Sequence, residues 1–124
     1  MTSRIVLENV KIYAYHGVLP EENLIGTYYI VNLSLDVPLW KAGETDDLND
    51  TVNYAAVNEV VHQQMRVQSK LLENVAKRII NAIEKQFPTV EHITIKITKT
   101  SPPMEGELDG VSVELSKALN GTLN

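Results

Sequence analysis

The chain has 124 residues, a hydrophobic fraction of 44%, a charged fraction of 22% and a formal net charge of −5 at pH 7. This composition is that of an ordinary globular protein, and the length predicts one domain over residues 1–124 with a substantial apolar core. The acidic balance argues against a nucleic-acid partner, because proteins that bind phosphate backbones usually carry a basic face.

Cysteine and histidine usage narrows the possible chemistry further. The chain contains no cysteine, so disulfide frameworks and thiolate metal sites are excluded. His16, His62 and His92 lack the spacing of metal ligands, and we expect no metal.

The first residues lack the apolar core of a signal peptide, and no run approaches the ~20 apolar residues of a membrane span. We therefore expect a cytoplasmic protein without a membrane partner.

The first third of the chain predicts two strands. Residues 4–15, RIVLENVKIYAY, are rich in β-branched and aromatic side chains, and their alternation changes phase around Glu8 and Asn9, which indicates a bulge. Residues 16–26, HGVLPEENLIG, have the glycines, proline and acids of a loop. Residues 27–37 carry apolar side chains at odd positions and predict a long strand with one buried face.

The middle of the chain predicts two helices. Residues 41–52 are polar and acidic and predict a surface connection, after which Asn53 can cap a helix that begins at Tyr54. Residues 71–87 predict the longer helix, which Pro88 closes. The apolar stripe of the first helix comprises Val57, Val60, Val61 and Met65, and that of the second comprises Leu72, Val75, Ala76, Ile79, Ile80 and Ile83.

The end of the chain predicts two more strands, residues 91–99 and 111–116, joined by a loop. The order of two strands, two helices and two strands is typical of an α+β fold, in which two helices cover one face of a four-stranded antiparallel sheet. Such a sheet has two free edges. An oligomer that joins sheets between subunits is one way to cover them.

A cation ends the apolar row of the third predicted strand. Ile93, Ile95 and Ile97 occupy odd positions, and Lys99 takes the next one. Its stem should lie against the helix-facing layer with the ammonium near the mouth of the core. Partial desolvation there would disfavour the charged form and allow the amine to exchange protons near neutral pH. Lysines at strand ends more often extend the amine into water, so parity alone makes Lys99 only a candidate.

Three other residues are candidates, and each of them has an ordinary structural interpretation. Glu73, in the first turn of the second predicted helix, could complement the helix dipole or accept two parallel N–H groups from a flat heterocycle. Tyr54 could pack at the start of its helix or lend its hydroxyl to a site. Glu22 lies in a predicted loop, where a solvated carboxylate is the ordinary interpretation. Each signal is weak by itself.

Together, four segments resemble the dihydroneopterin aldolase family in their order and approximate spacing. They are YHGVLPEENLIG, DTVNYAAV, LLENVA and ITKTSPPMEGELDGVSVE, and the resemblance covers nearly the whole chain. It implies the T-fold, also called the tunnelling fold. It also implies an assembly in which four subunits join their sheets into a barrel and two rings commonly stack as an octamer.

The resemblance also implies the site residues. Catalytic roles fall on Lys99, Tyr54 and Glu22. Substrate-binding roles fall on Glu73, which would anchor a pterin, and on Leu72, Val52 and Asn53. The stretch around Asn53 would meet the ligand from a neighbouring subunit, and Asn53 stands where some members of the family carry histidine.

The implied reaction is the retro-aldol cleavage of 7,8-dihydroneopterin into 6-hydroxymethyl-7,8-dihydropterin and glycolaldehyde, a step of folate biosynthesis. The substrate's own C=N bond can accept the electrons, so the reaction requires no metal, Schiff-base lysine or other cofactor. Two alternatives stay open. One is an epimerase of the same fold that inverts C2′ of dihydroneopterin or its triphosphate, although the acidic loops favour the unphosphorylated substrate. The other is a non-catalytic oligomeric pterin-binding module.

Overall fold

A computed structural model of the protein describes residues 1–119, which form four strands, four α-helices and one 3₁₀ turn. The strands are β1 (Arg4–Ala14), β2 (Thr27–Asp36), β3 (His92–Lys99) and β4 (Val111–Ala118). The helices are α1 (Pro20–Ile25), α2 (Trp40–Thr45), α3 (Tyr54–Met65) and α4 (Leu72–Gln86), and the 3₁₀ turn is Leu48–Asp50. Within the described part of the chain, every helix is too short or too polar to cross a lipid bilayer.

The four strands form one antiparallel sheet, as the sequence predicts, and the structure shows their order in the sheet to be β1-β2-β3-β4. The predicted bulge is confirmed, because the register of β1 against β2 shifts between Leu7 and Val10. At this shift Asn9 has a φ of 53°, and its backbone N–H donates to Asn32 Oδ1 at 2.8 Å. An asparagine suits such a position because it tolerates left-handed backbone conformations better than most residues.

The core lies between one face of the sheet and the two long helices. The odd-numbered positions of β2 and β3 point into it, and so do the predicted stripes of α3 and α4. The predicted α+β class is therefore confirmed. The fully buried part of the core includes Val31, Leu35, Val57, Val61, Val75, Ile79, Ile83, Ile93, Ile95 and Ile97.

Both long helices form where their apolar spacing predicts them. The side chain of Asn53 accepts a hydrogen bond from the Ala55 N–H at 3.0 Å and so caps α3. This bond satisfies one of the backbone donors that a helix start leaves unpaired. Helix α4 spans Leu72–Gln86, one residue inside each predicted end, and Pro88 lies two residues beyond it.

Two predicted loops are wrong in detail because they contain short helices. Residues 16–26 include α1, whose Pro20 stands in the first turn with two glutamates, a favourable arrangement at a helix start. Residues 41–52 lie along α2 and the 3₁₀ turn. None of the three short helices themselves contains a buried residue, so they have no apolar stripe that a sequence pattern could detect. Strand β4 also runs two residues past its predicted end, to Ala118.

Candidate active site

One cavity of about 460 Å³ lies where the α1 segment, the start of α4 and the ends of β3 and β4 meet. It contains three of the charged residues singled out from the sequence, Glu22, Glu73 and Lys99, together with Leu72. We refer to it below as the site cavity. Its lining also includes Gly17, Val18, Leu19, Lys70, Leu71, Pro102, Pro103, Met104, Val111 and Val113.

Lys99 lines the site cavity as the last residue of β3. In the sheet it pairs with the buried Tyr29 on one side and with Val111 on the other. The side chain is only 14% exposed, and its Nζ lies 2.5 Å from Glu22 Oε2. The cation ends the apolar row because a carboxylate from the α1 segment meets it at the rim of the core.

Glu22 is ionised in this arrangement although its side chain is only 15% exposed. Burial raises the pKa of the carboxyl. The hydrogen bond from Lys99, the N–H groups of Leu19 and Val18 and the charge of Lys99 together outweigh that effect and hold the pKa below its usual range. The site cavity therefore contains a carboxylate in direct contact with an ammonium group.

Gly17 makes room for this ion pair. Its φ of +143° is rarely adopted by residues with side chains, and a Cβ built on it would lie 2.3 Å from Glu22 Oε1. Glycine is thus required twice at this position, for the backbone conformation and for the space that Glu22 fills.

Glu73 lies in the first turn of α4 and belongs to the wall of the site cavity that the start of this helix forms. It is exposed, and no side chain among residues 1–119 forms an ion pair with it. Leu72, beside it, is 8% exposed and anchors this wall in the core. The carboxylate at this helix start is therefore available to a ligand that offers N–H donors.

The other three predicted site residues lie outside the site cavity of their own chain. Tyr54 is 65% exposed at the start of α3, and the side chain of Asn53 is engaged in capping that helix. Val52 is buried at 6% exposure and belongs to the core. Within one chain, the site cavity therefore contains four of the predicted site residues, Glu22, Leu72, Glu73 and Lys99. It does not contain residues 52–54.

Two residues near the site cavity were not identified as site residues from the sequence. His16 is completely buried, and Tyr29, buried beside it, donates its hydroxyl to the His16 carbonyl at 2.8 Å. Burial and the negative charge of Glu22 raise the pKa of Tyr29 to about 12, against a smaller opposing effect of that hydrogen bond. A signal for His16 was present, because it continues the inward-facing row of Ile12 and Ala14 at the end of β1.

The arrangement suits a flat, polar ligand with a reactive side arm. Glu73 can accept hydrogen bonds from adjacent ring N–H groups, and the Glu22–Lys99 pair can accept and donate protons within the same cavity. Leucine, valine and proline side chains provide apolar walls for the ring. Within residues 1–119, no group of three or more histidine, aspartate or glutamate side chains is arranged to hold a metal ion.

Comparison with known proteins gives a consistent result. The family model described as FolB, dihydroneopterin aldolase, matches residues 5–116. The chain is 40% identical over 116 residues to a dihydroneopterin aldolase of Staphylococcus epidermidis, with 93% of this chain and 96% of that protein covered. It is 36% identical over 115 residues to the dihydroneopterin aldolase of Bacillus subtilis, with 92% and 96% covered. The crystal structure of Escherichia coli dihydroneopterin aldolase in complex with neopterin has the same fold, with a TM-score of 0.85 at 21% identity over 94% of this chain and 99% of that one.

Proposed function

Because this chain belongs to the dihydroneopterin aldolase family, we propose that it cleaves 7,8-dihydroneopterin into 6-hydroxymethyl-7,8-dihydropterin and glycolaldehyde. The observation that carries the proposal is that a single cavity combines the unpaired carboxylate of Glu73 with the Glu22–Lys99 pair. The first group suits the recognition of a pterin ring, and the second suits proton transfer at its side arm. The complex of the related E. coli enzyme with neopterin supports a pterin as the ligand class.

Glu73 binds the amino-pyrimidine edge of the substrate in this proposal. Its two oxygens accept hydrogen bonds from the ring N–H and the exocyclic amine, which fixes the ring in the site cavity. The backbone of Leu72 lies next to this edge. Charge-assisted hydrogen bonds of this kind contribute roughly 1.5–3 kcal/mol each, enough to dominate the choice of heterocycle.

Lys99 and Glu22 act at the other end of the substrate. A retro-aldol cleavage removes a proton from a side-chain hydroxyl, breaks the adjacent carbon–carbon bond and returns a proton to the carbon left on the ring. The electrons of the broken bond enter the substrate's C=N bond, and their return to carbon completes a redox-neutral reaction without a cofactor. Lys99 transfers protons in these steps, and Glu22 orients the side arm or the water through which they pass.

Tyr54 enters from a neighbouring subunit, since it lies outside the site cavity of its own chain. With residues 52 and 53 beside it, Tyr54 completes the site by contacting the side-chain hydroxyls of the substrate and assisting the protonation of carbon.

The edge strands β1 and β4 provide the surfaces through which subunits join into a ring, and two rings form the octamer. Native mass spectrometry should find four or eight chains. A monomer that is fully active would refute the role of Tyr54.

The single domain of residues 1–124 and the cytoplasmic location stay predictions from the sequence. Limited proteolysis of the purified protein tests the first, and fractionation of the source cells tests the second.

The direct test of the function is incubation of the purified protein with 7,8-dihydroneopterin. The proposal predicts equal amounts of glycolaldehyde and 6-hydroxymethyl-7,8-dihydropterin. Formation of the C2′ epimer alone would identify an epimerase, and absence of any product in spite of pterin binding would identify a binding module. Either of those results would contradict the proposal.

A further inference from the structure

We propose that His16 is a positioning residue, which fixes the wall of the site cavity that carries Glu22 against the wall that carries Glu73. It does so through a bridge formed by His16, Gly17 and Ser69, which we call the His16–Ser69 bridge. The kinetic part of this inference rests on the proposed aldolase function. The existence of the bridge and the neutral state of the His16 ring do not depend on that function.

The bridge consists of two hydrogen bonds between segments 53 residues apart in the chain. The backbone N–H of Ser69 donates to His16 Nδ1 at 3.1 Å. In the opposite direction, the backbone N–H of Gly17 donates to the Ser69 carbonyl at 3.0 Å. Gly17 begins the segment that leads to Glu22, and Ser69 directly precedes the residues that lead to Glu73. The two hydrogen bonds therefore join the two walls of the site cavity.

Each side of the bridge is anchored in the molecule. On one side, His16 is 0% exposed, its ring packs edge-on against Tyr29 with centroids 5.3 Å apart, and its carbonyl accepts the Tyr29 hydroxyl. On the other side, the Ser69 hydroxyl donates to Asn74 Oδ1 at 2.6 Å and accepts from the Arg78 guanidinium at 2.7 Å. A displacement at one side is thus transmitted to the other.

The bridge requires a neutral imidazole, because Nδ1 can accept from the Ser69 N–H only when it carries no proton. Burial, followed by the charges of Arg78 and Lys99, lowers the pKa of His16 to about 4, against a smaller raising effect of the Met65 carbonyl. The ring is therefore neutral near pH 7, with its proton on Nε2. This residue is unsuited to acid–base work at neutral pH and well suited to a fixed structural contact.

Loss of the bridge should affect the two functions of the site cavity differently. Glu73 is carried by α4, which stays anchored in the core by Leu72 and Val75 whether or not the bridge forms. Glu22 lies in the short α1, which contains no buried residue and so depends on its few hydrogen bonds. A missing bridge would thus let Glu22 shift relative to Lys99 while the ring-binding carboxylate stays in place.

The test uses two substitutions at His16 and one control. His16→Phe keeps a ring of similar volume and removes the acceptor, whereas His16→Asn keeps an oxygen near the position of Nδ1. His62→Phe is the control, because the hydrogen bond described for the His62 ring within residues 1–119 joins Nδ1 to the Asn58 carbonyl of its own helix, at 2.9 Å. We expect His16→Phe to lower kcat about tenfold or more while guanine, which has the pyrimidine edge without a side arm, binds within about threefold of normal affinity. His16→Asn should restore most of kcat, and His62→Phe should leave it unchanged.

A second measurement keeps the inference independent of catalysis. Hydrogen exchange of the Ser69 and Gly17 amides should be slow in the unsubstituted protein and in His16→Asn, and faster in His16→Phe. If His16→Phe does not fold, the inference is decided by amide exchange in the unsubstituted protein and in His16→Asn, together with the kcat of His16→Asn. Fast exchange in the unsubstituted protein, unchanged kcat in His16→Phe, equal loss of kcat and guanine affinity, or no rescue by asparagine would overturn the inference. An unsubstituted protein that does not cleave dihydroneopterin but protects both amides would refute the proposed function and not the bridge.

Discussion

The Glu22–Lys99 contact sets the resting state of the site. Removing two charges from water is costly, and the attraction between them offsets this cost only when the geometry is good. Here both side chains are about 15% exposed and the charged atoms are in direct contact. A substrate hydroxyl or a water that enters the site cavity must compete with the hydrogen bond that Lys99 already donates to Glu22. In the proposed mechanism, this pair positions the amine for proton transfer before the substrate arrives.

Substitution of Lys99 tests its role in proton transfer. Lys99→Met should lower kcat by about 10²-fold or more, because positioned proton donors and acceptors contribute factors of this size. The affinity for neopterin should change little, since the proposed mechanism places the ring at Glu73. Steady-state kinetics and calorimetry measure the two effects. The matched control is Lys117→Met, which removes a half-exposed lysine paired with Glu84 at 3.1 Å. Unchanged turnover in Lys99→Met would exclude the lysine from the mechanism.

Substitution of Glu73 tests ring recognition. Glu73→Gln removes the charge and replaces one acceptor by a donor, which faces an N–H group of the ring. Affinity for neopterin should fall tenfold or more, since charge-assisted hydrogen bonds contribute roughly 1.5–3 kcal/mol each. Equilibrium binding by fluorescence measures this loss. Glu59→Gln, on the exposed side of α3, should bind normally. Equal affinity in both variants would show that Glu73 only complements the helix dipole.

At the scale of elements, the short segment between β1 and β2 determines the geometry of the Glu22–Lys99 pair. It places Glu22 over Lys99, and its geometry depends on the Gly17 backbone. Helix α1 in this segment contains no buried residue. Hydrogen bonds and one ion pair, rather than apolar packing, therefore fix the position of the helix. Segments of this kind are typically less stable than core elements, and single backbone changes in them have large local effects.

Substitution of Gly17 tests this dependence. Gly17→Ala should displace Glu22 and destabilise the protein by roughly 1–3 kcal/mol, because the backbone conformation disfavours a side chain and the Cβ would overlap the carboxylate. Thermal unfolding and kcat should both fall. Gly43→Ala is the control. Its Cβ would meet nothing within 4 Å, and its position in α2 should make it neutral or slightly stabilising. Equal stability of the two variants would contradict the packing described for Gly17.

The elements that the sequence predicts correctly are the ones with long periodic patterns. The alternation of β2 and the stripe of α4 extend over ten or more residues, and burial of those patterns against each other determines the sheet and its helical cover. The three short helical segments were missed because capping, proline and local charge determine them, without an apolar face. The parity of Lys99 was informative because a strand has only two faces, and the structure places the side chain on the predicted one.

At the scale of the whole molecule, the site depends on contacts that no local pattern contains. Glu22 and Lys99 are 77 residues apart in the chain and meet only in the folded protein. The resemblance to a family predicts that these two residues belong to one site. The local sequence around each residue does not predict this. The role proposed for Tyr54 depends in addition on a second subunit, so neither the pattern of one chain nor its fold can place this residue in a site.

Acid sensitivity of the fold is a further prediction at this scale. The folded pKa of His16 is about 4, below its ordinary value of 6.5, so the unfolded chain binds more protons than the folded one between these pH values. Stability is therefore full above pH 6.5 and declines as the pH falls toward 4, with this residue contributing on the order of 3 kcal/mol. Arg78 and Lys99 are the charged groups that disfavour the imidazolium.

Urea unfolding at pH 7.5, 6, 5 and 4.5, at one fixed protein concentration, measures this decline. The His16→Asn variant lacks the titrating group and should show a flatter dependence of stability on pH over the same interval. Identical profiles for the two proteins would mean that His16 does not resist protonation in the folded state.

The most direct test of the account is a crystal structure of this protein with bound neopterin. We predict the pyrimidine edge of the ring on the Glu73 carboxylate, the side arm within ~3.2 Å of Lys99 Nζ or one water away, and a tyrosine of the neighbouring subunit, its Tyr54, closing the site. Neopterin bound elsewhere, or bound with its side arm pointing away from Lys99, would contradict the assignment of recognition to Glu73 and of proton transfer to Lys99.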